Sequence, residues 1–277
     1  MKQLFSLLKI SVLISFVILY ADAFAGDPYR SAAGAREAGM SYVCVMKGGL
    51  WSFFHNPAGL ALNKSFSFGF NYENRFSIKE LGTRSAALVI PAGRTSIGAI
   101  YSHFGYSDFK RRTAGLACGL PVTDKIAAGV QIDYYSEKIS GEYNNIQMLT
   151  CGAGVLISAT ENLTLGIHVF NPVPNSIRKY PMPSTLRVGA GLSLSKDLFA
   201  GIETEMTTGN RLNVKTGFEY EAVNNFWIRA GFGTANSSFS FGVGVLAKPA
   251  IIDVAFSTHE RLGITSSISI IFNIKTN

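Results

Sequence analysis

The chain has 277 residues, a formal net charge of +7, 47% hydrophobic residues and only 16% Asp, Glu, Lys and Arg. Its basic residues are scattered, with Lys110-Arg111-Arg112 as the main cluster; a solvated loop is the expected setting for that cluster, and a nucleic-acid partner is excluded. The three cysteines, Cys44, Cys118 and Cys151, have neither the number nor the spacing of a disulfide scaffold or a zinc site, and are expected as small packing residues.

Residues 1–25 carry a basic start (Lys2, Lys9), an apolar run from Ile10 to Tyr20, and Ala23-Phe24-Ala25 ahead of Gly26. This is the pattern of a cleaved secretory signal peptide, and its apolar run is short for a membrane-spanning helix. Residues 26–64 follow no strand period. They end in "LWSFFHNPAGLAL", where Trp51, Phe53, Phe54 and His55 stand directly before the turn-forming Asn56-Pro57, with Gly59 after it.

From Ser65 the dominant period is two. In "RLNVKTGFEYEA", Leu212, Val214, Thr216, Phe218 and Tyr220 share one face, and Asn213, Lys215, Gly217, Glu219 and Glu221 the other. The same division predicts strands at 65–72, 84–91, 95–105, 111–121, 124–137, 145–159, 162–170, 185–195, 198–207, 210–221, 226–233, 237–247, 250–258 and 264–273. Fourteen is an even number, and each segment is about long enough to cross a bilayer at a tilt. Connections after even strands are short ("AGR", "VTD", "SKD"), and several after odd strands are long ("ENRFSIKELGT", "NPVPNSIRKYPMPS"), as in outer-membrane barrels.

The rival architecture is a soluble β-sandwich, whose outer face would be rich in charge. Here the polar face is crowded with Gly and Ser, which suits an enclosed, filled interior. The expected fold is therefore all-β: a 14-stranded antiparallel transmembrane β-barrel at 65–277, with residues 26–64 as a lumenal hatch behind a signal peptide at 1–25.

"AGAREAGM" followed by "LWSFFHNPAGLA" resembles the start of the PorV/PorQ family of outer-membrane proteins, relatives of the FadL-like transporters of hydrophobic compounds. The matching residues are Ala35, Arg36, Gly39, Met40, Trp51, Phe54, Asn56, Pro57, Ala58, Gly59 and Leu60. "GFEYEAVNNFWIRAGFG" and "IIDVAFSTHERLGITSSISIIF" resemble the family's later strands. The chain departs from the pattern at Ser41, where a second Gly is usual, and at "MKGG", where acidic residues are common. The resemblance implies a hatch inside a fourteen-stranded barrel in a Bacteroidetes-type outer membrane, with lipid or lipopolysaccharide around it. It also implies type IX secretion components or secreted cargo as partners; the FadL-like alternative implies a hydrophobic small molecule.

No His or Cys pattern supports a metal, and no cofactor is expected. Asp253, Ser257 and His259 share a strand face, but alternate residues are about 7 Å apart, too far for a ready nucleophile and base pair, so a lipid-modifying enzyme is a remote alternative. The lumenal charges carry more information. Asp133, Glu203, Glu205, Glu219 and Glu221 face the same way as Arg187, Lys215 and Arg229, and buried charges need partners. Arg36 is the candidate to dock on the Glu203/Glu205 or Glu219/Glu221 patch, with a cation filter as the rival role. Tyr72, Tyr101, Phe104, Tyr134, Phe226 and Phe272 stand where an interfacial girdle would.

Overall fold

The computed structural model describes residues 32–140, 145–173, 175–177 and 180–274. The expected signal peptide, its cleavage site and the first residues of the expected hatch lie outside them.

The alternating segments form strands β1 (Phe66–Asn74), β2 (Gly82–Ala92), β3 (Thr95–Gly105), β4 (Phe109–Pro121), β5 (Ile126–Ile139), β6 (Ile146–Ser158) and β7 (Leu163–Phe170). A small hairpin follows, β8 (Asn175–Ile177) and β9 (Tyr180–Met182). The wall continues with β10 (Thr185–Ser193), β11 (Leu198–Thr207), β12 (Asn213–Val223), β13 (Phe226–Gly233), β14 (Ser238–Ala247), β15 (Ala250–His259) and β16 (Gly263–Ile274). Setting β8 and β9 aside, fourteen antiparallel strands close into a barrel when β1 pairs with β16, with Phe66 opposite Ile274. Closure leaves no sheet edge, so every wall strand has neighbours on both sides.

The period-two pattern decides which face is which. On β5, Val130 and Ile132 point outward, 60% and 56% exposed, whereas Gln131, Asp133 and Tyr135 are buried in the lumen. Leu116, Leu149, Phe218 and Phe241 continue the outer apolar surface around the barrel. Such a surface is a lipid-facing wall rather than a solvated one. No helix among the described residues is long and apolar enough to cross a membrane.

Several expectations need correction. Lys110, Arg111 and Arg112 open β4 instead of lying in a solvated loop; Arg111 turns inward to Glu137 at 2.9 Å, among the rings of Phe104, Phe109 and Tyr135. Phe104 accordingly faces the lumen, paired in register with Arg111, and is no part of a girdle. Phe272 does face outward and stacks on Phe68 at 4.9 Å. Of the cysteines, only Cys44 is buried; Cys151 is exposed on the outer face of β6. The β8–β9 hairpin lies within a connection read from sequence as loop, because strands of three residues are too short for alternation to register.

Candidate functional site

Residues 33–62 occupy the lumen. The helix α1 (Ala35–Gly39) is one turn long, and the left-handed Ser41 and Tyr42 (φ 53° and 59°) reverse the chain after it. That backbone explains why a Gly at position 41 would suit the turn. Ser41 holds the conformation with a hydroxyl contact to Ser240 at 3.0 Å.

Leu50–Phe54 form a 3-10 turn that presents Trp51, Phe53 and Phe54 to Ala87, Val89, Ile100 and Ala117 on the wall. Trp51 and Phe53 are each 1% exposed, so each contributes about 1.5–3 kcal/mol by leaving water. A second 3-10 turn, Pro57–Leu62, follows. Asn56 caps it by accepting from the Ala58 N–H and, through its amide, donates to the Val45 carbonyl at 2.7 Å. Asn56-Pro57 thus starts a helical turn, and strand β1 begins only at Phe66. Gly59 is where the segment crosses itself: a Cβ there would lie 2.6 Å from Ser52 Oγ and 2.8 Å from the Lys47 carbonyl.

The wall makes room for this segment with glycine. In register, Gly119, Gly129 and Gly154 lie side by side, as do Gly191, Gly201, Gly217 and Gly231. A Cβ on Gly129 would come within 2.3 Å of Ala58 N, and one on Gly231 within 2.4 Å of the Met40 carbonyl carbon. These inward positions are bare so that backbone can pack on backbone.

Charges tie the segment down in two groups. Glu219 on β12 accepts from Arg36 (2.7 and 2.8 Å), from Lys47 (2.8 Å) and from the wall's own Arg229 (2.7 Å). Arg229 also reaches Asp253 at 2.7 Å. In the second group Glu203 accepts the backbone N–H groups of Cys44 and Val45, both at 2.9 Å, and Lys215 at 2.8 Å. Glu205 completes it with Lys215 at 3.1 Å and Arg187 at 3.4 Å. Arg187 donates to the His55 carbonyl at 3.2 Å, and His55 Nε2 lies 2.8 Å from the Ala33 carbonyl.

Glu37 on α1 is buried, and no partner for its Oε2 exists among the described residues. Burial pushes its carboxyl up to about 7, against the opposing pull of Arg36. Burial likewise lowers Lys47 to about 8.

Two candidates separate from these groups. Glu221 turns away to the β12–β13 connection, where it accepts the Asn225 N–H at 2.8 Å. The Asp253, Ser257 and His259 array is not assembled: Asp253 belongs to Arg229, while His259 Nδ1 accepts from Arg261 N and the ring packs edge-on against Phe76. No group of three or more His, Cys, Asp or Glu that would hold a metal ion occurs among the described residues. Lys47 and Glu37 were not singled out from sequence; their signal was only a cation and an acid inside an otherwise apolar, small-residue segment.

Besides an open cleft of about 510 Å³ at Arg36, Lys47, Leu62 and Glu219, a cavity of about 30 Å³ remains on the loop side of Phe53 and Phe54, bounded also by Asp133, Thr150, His168 and Arg187. That is room for about one or two waters, far below the roughly 150 Å³ that accepts benzene.

A lipid-facing barrel of fourteen strands, filled by its own N-terminal segment and pinned to it by buried ion pairs, defines the class: a plugged transmembrane β-barrel. No known sequence family matches the chain, and no curated protein is similar to it. Among solved structures the fold is shared with hydrocarbon transport channels. The toluene transporter TodX of P. putida is 10% identical, with a TM-score of 0.66 over 91% of this chain and 100% of that one. A Pseudomonas aeruginosa FadL homologue is 13% identical, with a TM-score of 0.65 over 88% and 98%. The Ralstonia pickettii toluene transporter TbuX is 14% identical, with a TM-score of 0.61 over 92% and 98%. At such identities the likeness is one of fold alone.

Proposed function

We propose that the protein is an outer-membrane channel for hydrophobic small molecules, in which residues 33–62 are the gate and the short strand connections face the periplasm. The observation that carries this reading is the filled lumen. Its plug is held by a glycine-lined wall, by ion pairs at Glu219 and by backbone hydrogen bonds to Glu203, in a fold shared with toluene transporters. With only about 30 Å³ free beside Phe53 and Phe54, passage requires the segment to shift, and the aromatic rings are what a hydrophobic solute would then meet. Residues 1–25, read as a signal peptide, would direct export.

The test is uptake of labelled toluene, and separately of a long-chain fatty acid, by cells that lack their own hydrocarbon channels and express the full chain. Faster uptake of either solute than with an empty vector supports the proposal; uptake of both no faster than with the vector contradicts it. A second reading, a PorV/PorQ-type partner in protein secretion, rests on the "LWSFFHNPAGL" motif. Recovery of secretion components with the barrel from mild detergent would favour it.

A further inference from the structure

We propose that the cavity beside Phe53 is a binding site for one small monovalent inorganic cation, held by Asp133, Gln131 and Thr150. Asp133 and Gln131 share the inner face of β5, and Thr150 on β6 stands directly opposite Asp133 in register. All three are at least 95% buried, and all three border the cavity. Gln131 Nε2 donates to Asp133 Oδ2 at 2.6 Å, which fixes the amide and turns Gln131 Oε1 away from that carboxylate oxygen. Among the described residues Asp133 Oδ1, Gln131 Oε1 and Thr150 Oγ1 are then left without a hydrogen-bond partner. A Cβ on Gly115 would lie 2.3 Å from Asp133 Oδ1 and 2.8 Å from Phe53 Cζ, so this oxygen leans over bare backbone beside the ring.

Charge separates a cation from a water. Arg187 also bounds the cavity, but its guanidinium is directed to Glu205, and Lys215 is shared by Glu203 and Glu205. Glu219 and Asp253 are engaged by Arg36, Lys47 and Arg229. Among the described residues Asp133 has no ion-pair partner and takes one hydrogen bond, from an uncharged amide. An ionised carboxylate in a dry lumen is costly without a counter-charge. A water would satisfy the three oxygens but leave the charge, and a proton on Asp133 would remove the charge but leave at least one of the three oxygens without a partner; a cation does both. Oxygen donors select a hard ion, one carboxylate matches one positive charge, and the cavity admits an ion with at most about one water.

The test is thallium(I), a potassium-like ion with strong anomalous scattering, soaked into crystals of the full chain in detergent. An anomalous peak bounded by Asp133, Gln131 and Thr150, lost in Asp133→Asn and weakened in Thr150→Val, is the expected result. In solution the midpoint of thermal unfolding should rise when KCl replaces tetramethylammonium chloride at constant ionic strength, and Asp133→Asn should remove at least nine-tenths of that rise. Absence of a peak in the wild-type cavity, or a peak and a thermal response unchanged in Asp133→Asn, overturns the proposal. Should Asp133→Asn fail to fold, the wild-type peak and Thr150→Val decide alone.

Discussion

Glu219 takes hydrogen bonds from three cations, two of which, Arg36 and Lys47, lie 183 and 172 residues away in sequence on the lumenal segment. Replacing Arg36 by Glu sets two carboxylates against each other and leaves Lys47 and Arg229 to share Glu219. The expected cost is about 2–3 kcal/mol, discounted from a fully buried pair because Arg36 is 28% exposed. It should be read as a lower unfolding midpoint together with faster solute leak through proteoliposomes. Unchanged stability and leak would show that this contact does not hold the plug.

Glu37 gives a pH dependence with a definite sign. Its folded value, about 7, lies above its ordinary 4.5. Below about 4.5 both folded and unfolded chains are protonated, and Glu37 costs nothing. As pH rises towards 7, only the unfolded chain gives up the proton, so stability falls by about 3 kcal/mol and then levels off. The difference in unfolding midpoint between wild type and Glu37→Gln, followed from pH 4 to 8, should therefore widen in favour of the glutamine variant. A constant difference would contradict the assignment.

Some of this chemistry was legible in sequence and some was not. Period two placed Glu203, Glu205, Glu219, Lys215 and Arg229 on one face, because in a strand facing follows from parity alone. Parity says nothing about the end of a strand, so Glu221 was grouped with Glu219 although it caps a turn. Lys47 had no strand period to place it, and parity put Asp253 on the inner face of β15 without showing that Arg229, two strands away on β13, would reach it.

At the scale of elements, wall and plug fit each other through missing side chains. Gly129→Val would drive a branched side chain into the Pro57–Ala58 backbone, which a Cβ alone already approaches to 2.3 Å. The wall's hydrogen-bond ladder and lipid face are untouched by the change. The barrel should thus still assemble and resist unfolding in detergent by gel shift, while residues 33–62 become accessible to protease. A protected segment in Gly129→Val would mean that the glycine belt is not what seats it.

Asn56→Ala removes both the cap on Ala58 and the donor to the buried Val45 carbonyl, at an expected cost of about 3 kcal/mol. This is checked by chemical unfolding of the purified barrel. The fourteen wall strands were readable because each runs eight residues or more with alternating faces. The turns at 35–39, 50–54 and 57–62 were not, because one-turn helices have too few residues to establish a 3.6 period. Their order is imposed by the wall around them.

For the whole molecule, composition and architecture agree. Few charges, many glycines and an apolar outer surface are what a lipid-embedded wall around a solid plug requires. The closed lumen leaves the molecule two states to choose between, a seated plug and a displaced one, and the proposed transport needs both. Ser41 and Ser240 provide the handle, one on the plug and one on the wall with their hydroxyls 3.0 Å apart. A Ser41→Cys/Ser240→Cys variant, with Cys44 replaced by Ala, would lock the plug when oxidised and free it when reduced. The decisive measurement is toluene flux into proteoliposomes carrying this variant. The proposed gate predicts flux near background when the disulfide is formed and recovery to the wild-type rate on reduction. Equal flux in the locked and freed states, or none in wild type, would contradict it.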